Sequence, residues 1–445
     1  MAKKKDIAAE AAVNSSAVLQ AMTANLDNSD IKGFNVGATY SNDVGIPFPA
    51  LSLRYLFQLT ALPLSRLVQI VGEEGSAKSA FLTEMASWIL EHDGIYIYAE
   101  NENKDTRNMR SSIFRWDPRK MANVVDYATS DLEEWQEFLT TNITSAKNIQ
   151  IKKGGPGRTV PIMFAVDSLT GTAPRGNVAD MVSDGHAKKG FADMANLIAR
   201  WLRGSPSLLK GHPFLLVATN HLKPGTDARG MPTASIPGGK GFKFMETFEI
   251  QMKRIGDIRK MTAQGLEVRL KSEKNSAGPG RKQIVANLLW KVGEDENGNF
   301  RQYSAWDWHT ATIKLLVGFD KEAYMRNAIR EASGIQVNSL TKSLAWSDIL
   351  GVSKESPVSF YELSQRLEQR PDVLAKLYKI LHITPCAAFE TGTCFLKQRD
   401  AAAKSSAEIT ATRYAQVELL PQMSGDEFND DRPSAVEADA QRQSA

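Results

Sequence analysis

The sequence predicts an α/β fold built around a mainly parallel sheet. Apolar, β-prone runs recur between residues 67 and 292, and the earlier ones alternate with stretches of helical character. This alternation is typical of βαβ units, in which helices connect parallel strands. The last three runs lie closer together, which favours antiparallel strands at one edge. The predicted strands are 67–71, 94–99, 161–166, 213–219, 246–253, 266–271 and 284–292.

Length and composition set the class of protein. The chain has 445 residues, enough for one large domain with additions or for two or three domains. Hydrophobic residues make up 42% and charged residues 24%, and no apolar run is long enough to cross a bilayer. Lysines at positions 3 to 5 precede polar residues, so we expect no signal peptide and a cytoplasmic location. Since the net charge is only +3, nucleic-acid binding must be argued from local patches.

Changes in composition divide the chain into four predicted segments. We interpret residues 1–45 as an N-terminal oligomerisation arm, with a helix that caps its own domain as the alternative. Residues 46–320 contain the β-prone runs and form the predicted α/β core. Residues 321–410 have apolar residues at helical spacing, which predicts a small helical C-terminal domain. Residues 411–445 are acidic with few apolar anchors, which predicts a disordered acidic tail.

The stretch LVQIVGEEGSAKS, residues 67–79, has the layout of a phosphate-binding P-loop. A short apolar strand leads into a glycine-containing turn, Lys78 and Ser79 close the turn, and an apolar-rich helix follows. Backbone N–H groups of such a loop favour an anion at one spot. Lys78 would add a charge at the outer phosphates, and the Ser79 hydroxyl would be a ligand for Mg²⁺. The predicted nucleotide-binding residues here are Gly72, Glu73, Glu74, Gly75, Ser76, Ala77, Lys78, Ser79 and Ala80.

Ala77 departs from the usual P-loop pattern, which has glycine before the lysine. Its methyl group would crowd the phosphates, or strain the backbone if φ is positive there. Gly75 is placed to supply some of the missing freedom. The alternative to a nucleotide site is a glycine-containing turn that happens to precede Lys-Ser.

Three further polar residues end apolar runs, at the edge where open α/β sheets bind ligands. Glu100 ends IYIYAE and is the candidate for orienting an attacking water, with Glu102 on the same loop as a rival. Asp167 ends PIMFAVD and is the candidate Mg²⁺ ligand, in the arrangement of a Walker B motif. Asn220 ends FLLVATN and is the candidate sensor of the γ-phosphate, although such an asparagine is more often a turn residue.

Two long basic loops follow the strands that end at Asp167 and Asn220. They span residues 171–190 and 222–239, and long loops in a compact domain are usually functional or disordered. Because they lack aromatic residues for base stacking, we expect them to bind the DNA backbone without regard to sequence. Solvated, mobile loops are the alternative. The predicted DNA-binding residues are Arg175, Lys188, Lys189, Lys223, Arg229, Lys240 and Lys243.

Several motifs in order resemble the RecA-type recombinases, most closely their phage UvsX-like branch. The resemblance covers roughly residues 51–292 and includes LSLRYLFQLTALPLSRLVQIVG, IYIYAEN, FAVDS, ATNH, PGGKGFKF and KRIGDIRK. It assigns the catalytic glutamate to Glu100, the Walker B motif to Asp167 and Ser168, and the sensor to Asn220. His221 stands where the family has glutamine. The implied fold is a RecA-like P-loop NTPase core.

The resemblance implies a DNA-dependent ATPase that polymerises on single-stranded DNA with ATP and Mg²⁺. The filament would pair this strand with homologous duplex DNA and exchange strands, helped by single-strand-binding and loader proteins. In this family ATP lies between subunits, and a neighbour supplies basic residues near the γ-phosphate. The matching segment makes Lys274 the first candidate for this catalytic lysine and Lys271 the second. The N-terminal arm would join subunits.

The departures from the family leave other functions open. Besides Ala77 and His221, the stretch NENKDTRNMR lacks the family's adenine-stacking tyrosine, although the UvsX-like branch also tolerates a residue other than glycine at the position of Ala77. A RecA-fold hexameric DNA helicase would share the P-loop, the glutamate and the Walker B motif, but would close into a ring. A non-hydrolysing protein that coats DNA is a second alternative. A P-loop ATPase without a nucleic-acid partner is the third.

Overall fold

A computed structural model describes most of the predicted core and C-terminal domain. The described residues are 44–101, 107–152, 160–175, 191–226, 232–236, 240–260, 263–278, 280–294, 298–319, 322–395, 397–399 and 401. The predicted acidic tail, the arm up to residue 43 and Glu102 therefore lie outside the described residues.

The described strands and helices alternate through the first half of the chain. The strands are β1 (Val44–Pro47), β2 (Ala61–Pro63), β3 (Arg66–Gly72), β4 (Ile95–Glu100), β5 (Val124–Ala128), β6 (Ile162–Asp167), β7 (Phe214–His221), β8 (Lys223–Thr226), β9 (Pro232–Ser235), β10 (Phe248–Lys260), β11 (Ala263–Asn275), β12 (Gln283–Glu294), β13 (Phe300–Asp307), β14 (Gln336–Val337), β15 (Leu344–Trp346), β16 (Val358–Ser359) and β17 (Ala387–Ala388). The helices are α1 (Leu51–Phe57), α2 (Lys78–Leu90), α3 (Arg107–Ile113), α4 (Pro118–Ala122), α5 (Leu132–Lys152), α6 (Phe191–Leu209), α7 (Lys240–Met245), α8 (Trp308–Gly318), α9 (Ala323–Ser333), α10 (Phe360–Glu368) and α11 (Pro371–Ile380), with one 3₁₀ turn at Leu169–Gly171.

The central sheet has nine strands in the order β13-β12-β11-β10-β3-β7-β6-β4-β5. The pairings from β10 through β3, β7, β6 and β4 to β5 are parallel. Those among β10, β11, β12 and β13 are antiparallel. This confirms the predicted α/β fold with a mainly parallel sheet, including the antiparallel strands at one edge. Each of the seven predicted strands overlaps a strand of this sheet, and β5 and β13 are additions at its two ends.

The two faces of the sheet carry separate hydrophobic cores. Alternate residues of β3 divide between them, as the period of a strand requires. Val68 and Ile70 pack on one face with Phe81 and Met85 of α2. Leu67 packs on the other face in the core that includes residues of α5 and α6. This two-sided burial explains why the parallel strands read as nearly continuous apolar runs.

Several helices start where the sequence provides a cap. Asp307 accepts a hydrogen bond from the N–H of Thr310 at 2.9 Å at the start of α8. Ser359 accepts one from the N–H of Glu362 at 3.2 Å at the start of α10, which is the S-x-x-E pattern of a capping box. Pro371 takes the first position of α11, where the absence of an N–H group has no cost.

The predicted helical C-terminal domain contains α9, α10 and α11 together with the small sheet β14-β15-β16. Its hydrophobic core also includes Leu51 of α1 and Ile313 and Leu316 of α8, so the packing continues across the predicted boundary at residue 321. Near the end of the described chain, β17 pairs in parallel with β1. The four predicted segment boundaries stay predictions. No helix among the described residues is long and apolar enough to cross a membrane.

Candidate nucleotide-binding site

The predicted phosphate-binding loop connects β3 to α2 by a path that leaves no room for a side chain at Gly72. A Cβ there would lie 2.5 Å from the Met252 carbonyl oxygen and 2.5 Å from the Ser76 Oγ. The Ser76 hydroxyl donates a hydrogen bond to the Glu73 carbonyl oxygen at 2.7 Å, which closes the turn. Gly75 has a φ of +71°, in the left-handed region that favours glycine. The loop is therefore held by contacts within the chain.

Ala77 precedes α2 and has a φ of +66° and a ψ of +28°. The condition for strain at this position is therefore met, because left-handed backbone costs a residue with a Cβ about 1–2 kcal/mol. The alanine has no side chain that could cap α2, and the first turn of the helix contains no acidic residue. The N–H groups at the start of α2 consequently favour an anionic ligand.

The Lys78 side chain is folded back onto the loop. It is only 6% exposed. Its ammonium group donates hydrogen bonds to the carbonyl oxygens of Gly72, at 3.0 Å, and of Glu73, at 2.8 Å. A positive charge is thus held at the centre of the loop, where phosphate oxygens could replace the carbonyl oxygens.

The carboxyl ends of four parallel strands meet beside this loop. Glu100 of β4 lies opposite Asp167 of β6, and His221 of β7 lies opposite Gly72 of β3. Asn220 is fully buried and accepts a hydrogen bond at its Oδ1 from the N–H of His221, at 3.0 Å. The structure therefore brings the strand ends that carry Glu100, Asp167 and Asn220 to one edge of the sheet, next to the loop.

The Asp167 carboxylate is oriented by side chains from both neighbouring strands. The Tyr98 hydroxyl of β4 donates to its Oδ2 at 3.3 Å, and the Thr219 hydroxyl of β7 donates to its Oδ1. The Arg110 guanidinium lies 4.4 Å from the centre of the Tyr98 ring and is paired with Asp126. Burial lowers the pKa of Arg110, but the hydrogen bond with Asp126 and the negative charge of Asp126, together with smaller contributions from nearby tyrosines, outweigh burial, and the net shift is upward. The arginine therefore remains a cation behind the tyrosine.

A cavity of about 300 Å³ lies between the loop and the sheet edge. It is lined by Glu74, Gly75, Ser76, Ala77, Lys78, Ser79, Ala80, Met109, Asp167, His221, Leu266, Leu288, Trp290 and Ser304. One end has the loop, Lys78 and Asp167, and the other end is largely apolar. This division matches a ligand with an anionic and a flat organic part.

The oxygen donors in the cavity suit Mg²⁺ bound together with a nucleotide. The Ser79 hydroxyl and the Asp167 carboxylate are hard oxygen ligands of the type that Mg²⁺ prefers. No group of three or more His, Cys, Asp or Glu side chains within the described part of the chain could hold a metal ion. A Mg²⁺ ion in this cavity would therefore also need oxygens of the ligand, as is usual for nucleotide-bound Mg²⁺.

The apolar end of the cavity contains an aromatic residue that the sequence analysis missed. Trp290 of β12 is 40% exposed and lies there with Met109, Leu266 and Leu288. Such a ring offers a flat face on which a nucleotide base could stack. The sequence has no tyrosine directly after Glu100 for this role. The sequence does contain a signal. Trp290 follows Leu288 at the strand period of two, so the two side chains are expected on the same face of β12.

A second groove of about 550 Å³ continues from the apolar end and shares Met109, Trp290 and Ser304 with the cavity. Trp116 and Arg301 also line this groove, and the guanidinium lies 4.7 Å from the centre of the indole ring. The base end of the cavity therefore opens onto a partly aromatic surface.

The two candidate lysines for a neighbour's nucleotide both contact their own chain. Lys274 of β11 donates hydrogen bonds to the carbonyl oxygens of Lys243 and Phe244 in α7, the second at 3.4 Å. Lys271 forms an ion pair with Glu273. Neither lysine is among the described residues that line the cavity. Their action on a neighbour's nucleotide stays a prediction.

The predicted DNA-binding residues are described only in part. Lys223 begins β8 and Lys240 begins α7, whereas Lys188, Lys189 and Arg229 lie outside the described residues. Lys243 is exposed. Arg175 is exposed but forms ion pairs with Asp131, at 2.8 Å, and with Glu137, at 3.5 Å. The hydrogen bond with Asp131 raises the pKa of Arg175. The DNA-binding role of these residues stays a prediction, and that of Arg175 must compete with two carboxylates.

A basic groove on β10 and β11 was not predicted. This groove of about 340 Å³ is lined by Lys253, Arg269 and Lys271, and it lies beside Glu73 of the loop and Leu222 at the start of the second basic loop. Its cations come from two strands that are antiparallel neighbours. The sequence signal is therefore divided between two strands, and only their antiparallel pairing brings these cations into one groove.

The fold and the site define a class: an α/β protein with a large, mostly parallel sheet and a candidate phosphate-binding loop at the carboxyl edge of its strands. Comparison with known proteins adds that the chain is distantly similar to RecA proteins. No family model matches the chain. The RecA-type recombinase and the resemblance to its UvsX-like branch therefore stay predictions for this chain.

The similarity to individual RecA proteins is low but extends over more than half of the chain. The chain is 24% identical over 287 residues to Protein RecA of Tropheryma whipplei, and the match covers 63% of this chain and 60% of that protein. It is 21% identical over 264 residues to Protein RecA of Lactobacillus delbrueckii subsp. bulgaricus, covering 58% and 72%. For Protein RecA of Laribacter hongkongensis the identity is 23% over 250 residues, covering 56% and 65%.

Proposed function

We propose that this protein is a DNA-dependent ATPase of the RecA type, which forms a helical filament on single-stranded DNA and exchanges strands with homologous duplex DNA. The observation that carries this proposal is the meeting of the loop, Lys78 and Asp167 in one cavity, within a chain that is similar to RecA proteins over more than half of its length. The work would be done in the cytoplasm of a bacterial cell, which would be the host if a phage encodes the protein.

In the proposed reaction the chain contributes positioning and charge stabilisation. Lys78 exchanges the carbonyl oxygens of Gly72 and Glu73 for oxygens of the outer phosphates. Ser79 and Asp167 would hold Mg²⁺, which would supply positive charge to the phosphates. Glu100 lies opposite Asp167 in the sheet and orients the attacking water.

Two features would couple the nucleotide to the rest of the assembly. Asn220 is buried at the end of β7, immediately before the second basic loop, so a change at the γ-phosphate can be passed to that loop. Lys274 would reach the nucleotide of the next subunit. We also propose that residues 1–45 join subunits, that residues 321–410 form the C-terminal domain, and that single-strand-binding and loader proteins assist filament formation.

The contact with DNA would involve the two basic loops together with the groove formed by Lys253, Arg269 and Lys271. Since backbone phosphates are the expected partners, affinity should fall steeply with salt. Charge reversal of Lys253 and Arg269 should weaken DNA binding and flatten that salt dependence. An unchanged salt slope would argue against the groove.

Electron microscopy tests the proposed assembly most directly. We would image the protein with single-stranded DNA, Mg²⁺ and a slowly hydrolysed ATP analogue, and compare it with the same mixture without nucleotide. An open helical filament that requires the nucleotide is the expected result. Closed rings would instead indicate a hexameric helicase, in which the basic loops line the pore.

One observation favours a second candidate, the DNA-coating protein that does not hydrolyse ATP. Ala77 adopts left-handed backbone next to the expected position of the phosphates. ATP hydrolysis measured with and without single-stranded DNA distinguishes the two functions. Turnover that DNA stimulates supports the ATPase, whereas filaments without turnover support the coating protein.

A further inference from the structure

A cluster of polar side chains lies on one face of the sheet near α7. Among the described residues, both side-chain polar atoms of Gln69 have no hydrogen-bond partner, and both carboxyl oxygens of Glu246 and Oε2 of Glu249 have none outside that carboxyl pair. These side chains are thoroughly buried, with 0%, 2% and 4% of their residues' surface exposed, respectively. Buried polar groups are normally paired, so such a cluster calls for a function.

The strand register places Lys274 beside this cluster. Glu249 of β10 lies between Gln69 of β3 and Lys274 of β11, so the three side chains share one face of the sheet. Glu246 follows α7, the helix whose carbonyl oxygens accept the hydrogen bonds of Lys274. The same short segment thus holds the ammonium group and two buried carboxyls.

The two carboxyl groups interact strongly. Burial first, and then the negative charge and hydrogen bonding of Glu249, raise the pKa of Glu246 to about 9. The positive charges of Lys274 and Lys243 act in the opposite direction. Glu246 therefore retains a proton at neutral pH, and the pair presents less negative charge to Lys274 than two carboxylates would.

We propose that Glu246 and Glu249 are positioning residues for Lys274: the buried carboxyl pair keeps the ammonium group on the carbonyl oxygens of α7 and thereby sets how readily the lysine moves to the nucleotide of the next subunit. This inference rests on the proposed function, because it assumes that Lys274 acts between subunits. It adds a proton-linked control of that action, located outside the cavity.

We expect the rate of ATP turnover to depend on the charge of the carboxyl pair and to be highest while Glu246 is protonated. With Glu246 protonated, Glu249 orients Lys274 without holding it fast. When Glu246 ionises, a second negative charge opposes the departure of the lysine, so turnover falls. When Glu249 is replaced by glutamine, Lys274 is held only by the carbonyl oxygens and its arrival at the neighbour's nucleotide becomes less ordered.

The first test measures the position of Lys274 without relying on catalysis. Lysines of the nucleotide-free protein are labelled with an acylating reagent at pH 7.5 and quantified by mass spectrometry, with the exposed Lys376 of α11 as the internal reference. Glu249→Gln should raise the labelling of Lys274 about threefold. Glu246→Gln is the matched control and should leave it unchanged, because Glu246 is already protonated. Equal labelling in all three proteins would overturn the proposal.

The second test is kinetic. Glu249→Gln should lower the kcat of DNA-dependent ATP hydrolysis about tenfold with little change in KM, and Glu249→Asp should recover most of it. In a Lys274→Ala background the same Glu249→Gln change should have no further effect. A further tenfold loss there would show a merely structural role, and thermal melting identifies variants that fail to fold.

The pH profile addresses Glu246. In the unmodified protein kcat should decline as pH rises through about 9, where Glu246 titrates, and Glu246→Gln should abolish that decline. A decline that persists in Glu246→Gln would overturn the assignment. If labelling changes as expected but none of the proteins hydrolyses ATP, the control of the Lys274 position by the carboxyl pair is supported and the proposed ATPase function is wrong.

Discussion

The candidate nucleotide cavity and the carboxyl pair near α7 both contain buried ionisable groups, but these groups have opposite surroundings. In the cavity, Lys78 donates to two carbonyl oxygens and Asp167 accepts from two hydroxyl groups. Near α7, the carboxyl oxygens of Glu246 have no hydrogen-bond partner among the described residues other than the Glu249 carboxyl, and the pKa of Glu246 is raised to about 9. The charged groups of the cavity are thus paired with fixed donors and acceptors, whereas the carboxyl pair near α7 is paired only with itself.

In the proposed filament, this difference predicts which part of the molecule acts within a subunit and which acts between subunits. Side chains that are oriented in advance can bind a ligand without reorganisation, which is what electrostatic catalysis requires. Unpaired buried carboxyls cost stability and are retained where the charge has another use. We therefore expect substitutions in the cavity to act on chemistry within a subunit, and substitutions near α7 to act on communication between subunits.

The largest effect should follow the loss of the Lys78 charge. Lys78→Ala should weaken ATP binding roughly 100-fold, about 3 kcal/mol, because it removes charged hydrogen bonds to the phosphates. Nucleotide-dependent filament assembly should disappear with it. Lys120→Ala is the control, since Lys120 is paired with Glu91 outside the cavity. Isothermal titration calorimetry with an ATP analogue measures the change. Unaltered binding would show that the loop does not bind the nucleotide.

Substitution of Glu100 should separate binding from turnover. Glu100→Gln is expected to leave ATP affinity within about twofold while hydrolysis falls at least about 100-fold, the usual contribution of a group that handles a proton. Steady-state turnover and nucleotide binding are measured on the same preparation. A normal rate would move the role to Glu102.

The carboxyl pair should make stability depend on pH. The unfolded state loses the Glu246 proton near the ordinary pKa of 4.5, whereas the folded state keeps it to about pH 9. Between these values the folded state binds the extra proton, so its stability falls as pH rises, by up to about 1.4 kcal/mol per pH unit. Glu246→Gln should therefore be more stable than the unmodified protein, by a margin that grows from pH 5.5 to 8.5. Urea unfolding across this range measures it, and a constant margin would contradict the raised pKa.

The orientation of Asp167 can be tested with two tyrosines of the same strand. Tyr98→Phe removes the hydroxyl that donates to Asp167 and should raise the Mg²⁺ concentration for half-maximal turnover roughly tenfold, as is usual for groups behind a metal ligand. Tyr96→Phe is the matched control, because the buried Tyr96 hydroxyl has no hydrogen-bond partner among the described residues. Equal effects of the two substitutions would show that Tyr98 acts through packing alone.

The sequence predicted the buried strands of the sheet better than its edges. The inner parallel strands are covered on both faces, so their apolar runs are continuous and easily recognised. The missed strands β5 and β13 lie at the two ends of the sheet, and most of their side chains are at least partly exposed. An edge strand needs no continuous apolar run, which is why hydrophobic patterning did not find it.

The strand-end polar residues of the candidate site were also predictable, because position at the end of an apolar run is a local property. Trp290 and the pairing of Glu246 with Glu249 were not found, although both lie within predicted strands. Their roles depend on which segments the fold brings beside them: Met109 for the tryptophan, and β3 and β11 for the carboxyl pair. Periodicity alone does not contain that information.

The smallest expected effect concerns the backbone at Ala77. Ala77→Gly should stabilise the protein by about 1 kcal/mol, because glycine adopts the observed φ of +66° without the steric cost of a Cβ. Ala80→Gly within α2 is the matched control and should destabilise it by about 0.5–1 kcal/mol, since glycine weakens a helix interior. Thermal melting of both variants without nucleotide measures the two effects. If Ala77→Gly also speeds ATP hydrolysis, the methyl group limits the chemistry of the loop. If it changes stability alone, the methyl group is compatible with turnover, and the case for a non-hydrolysing DNA-coating protein loses its structural support.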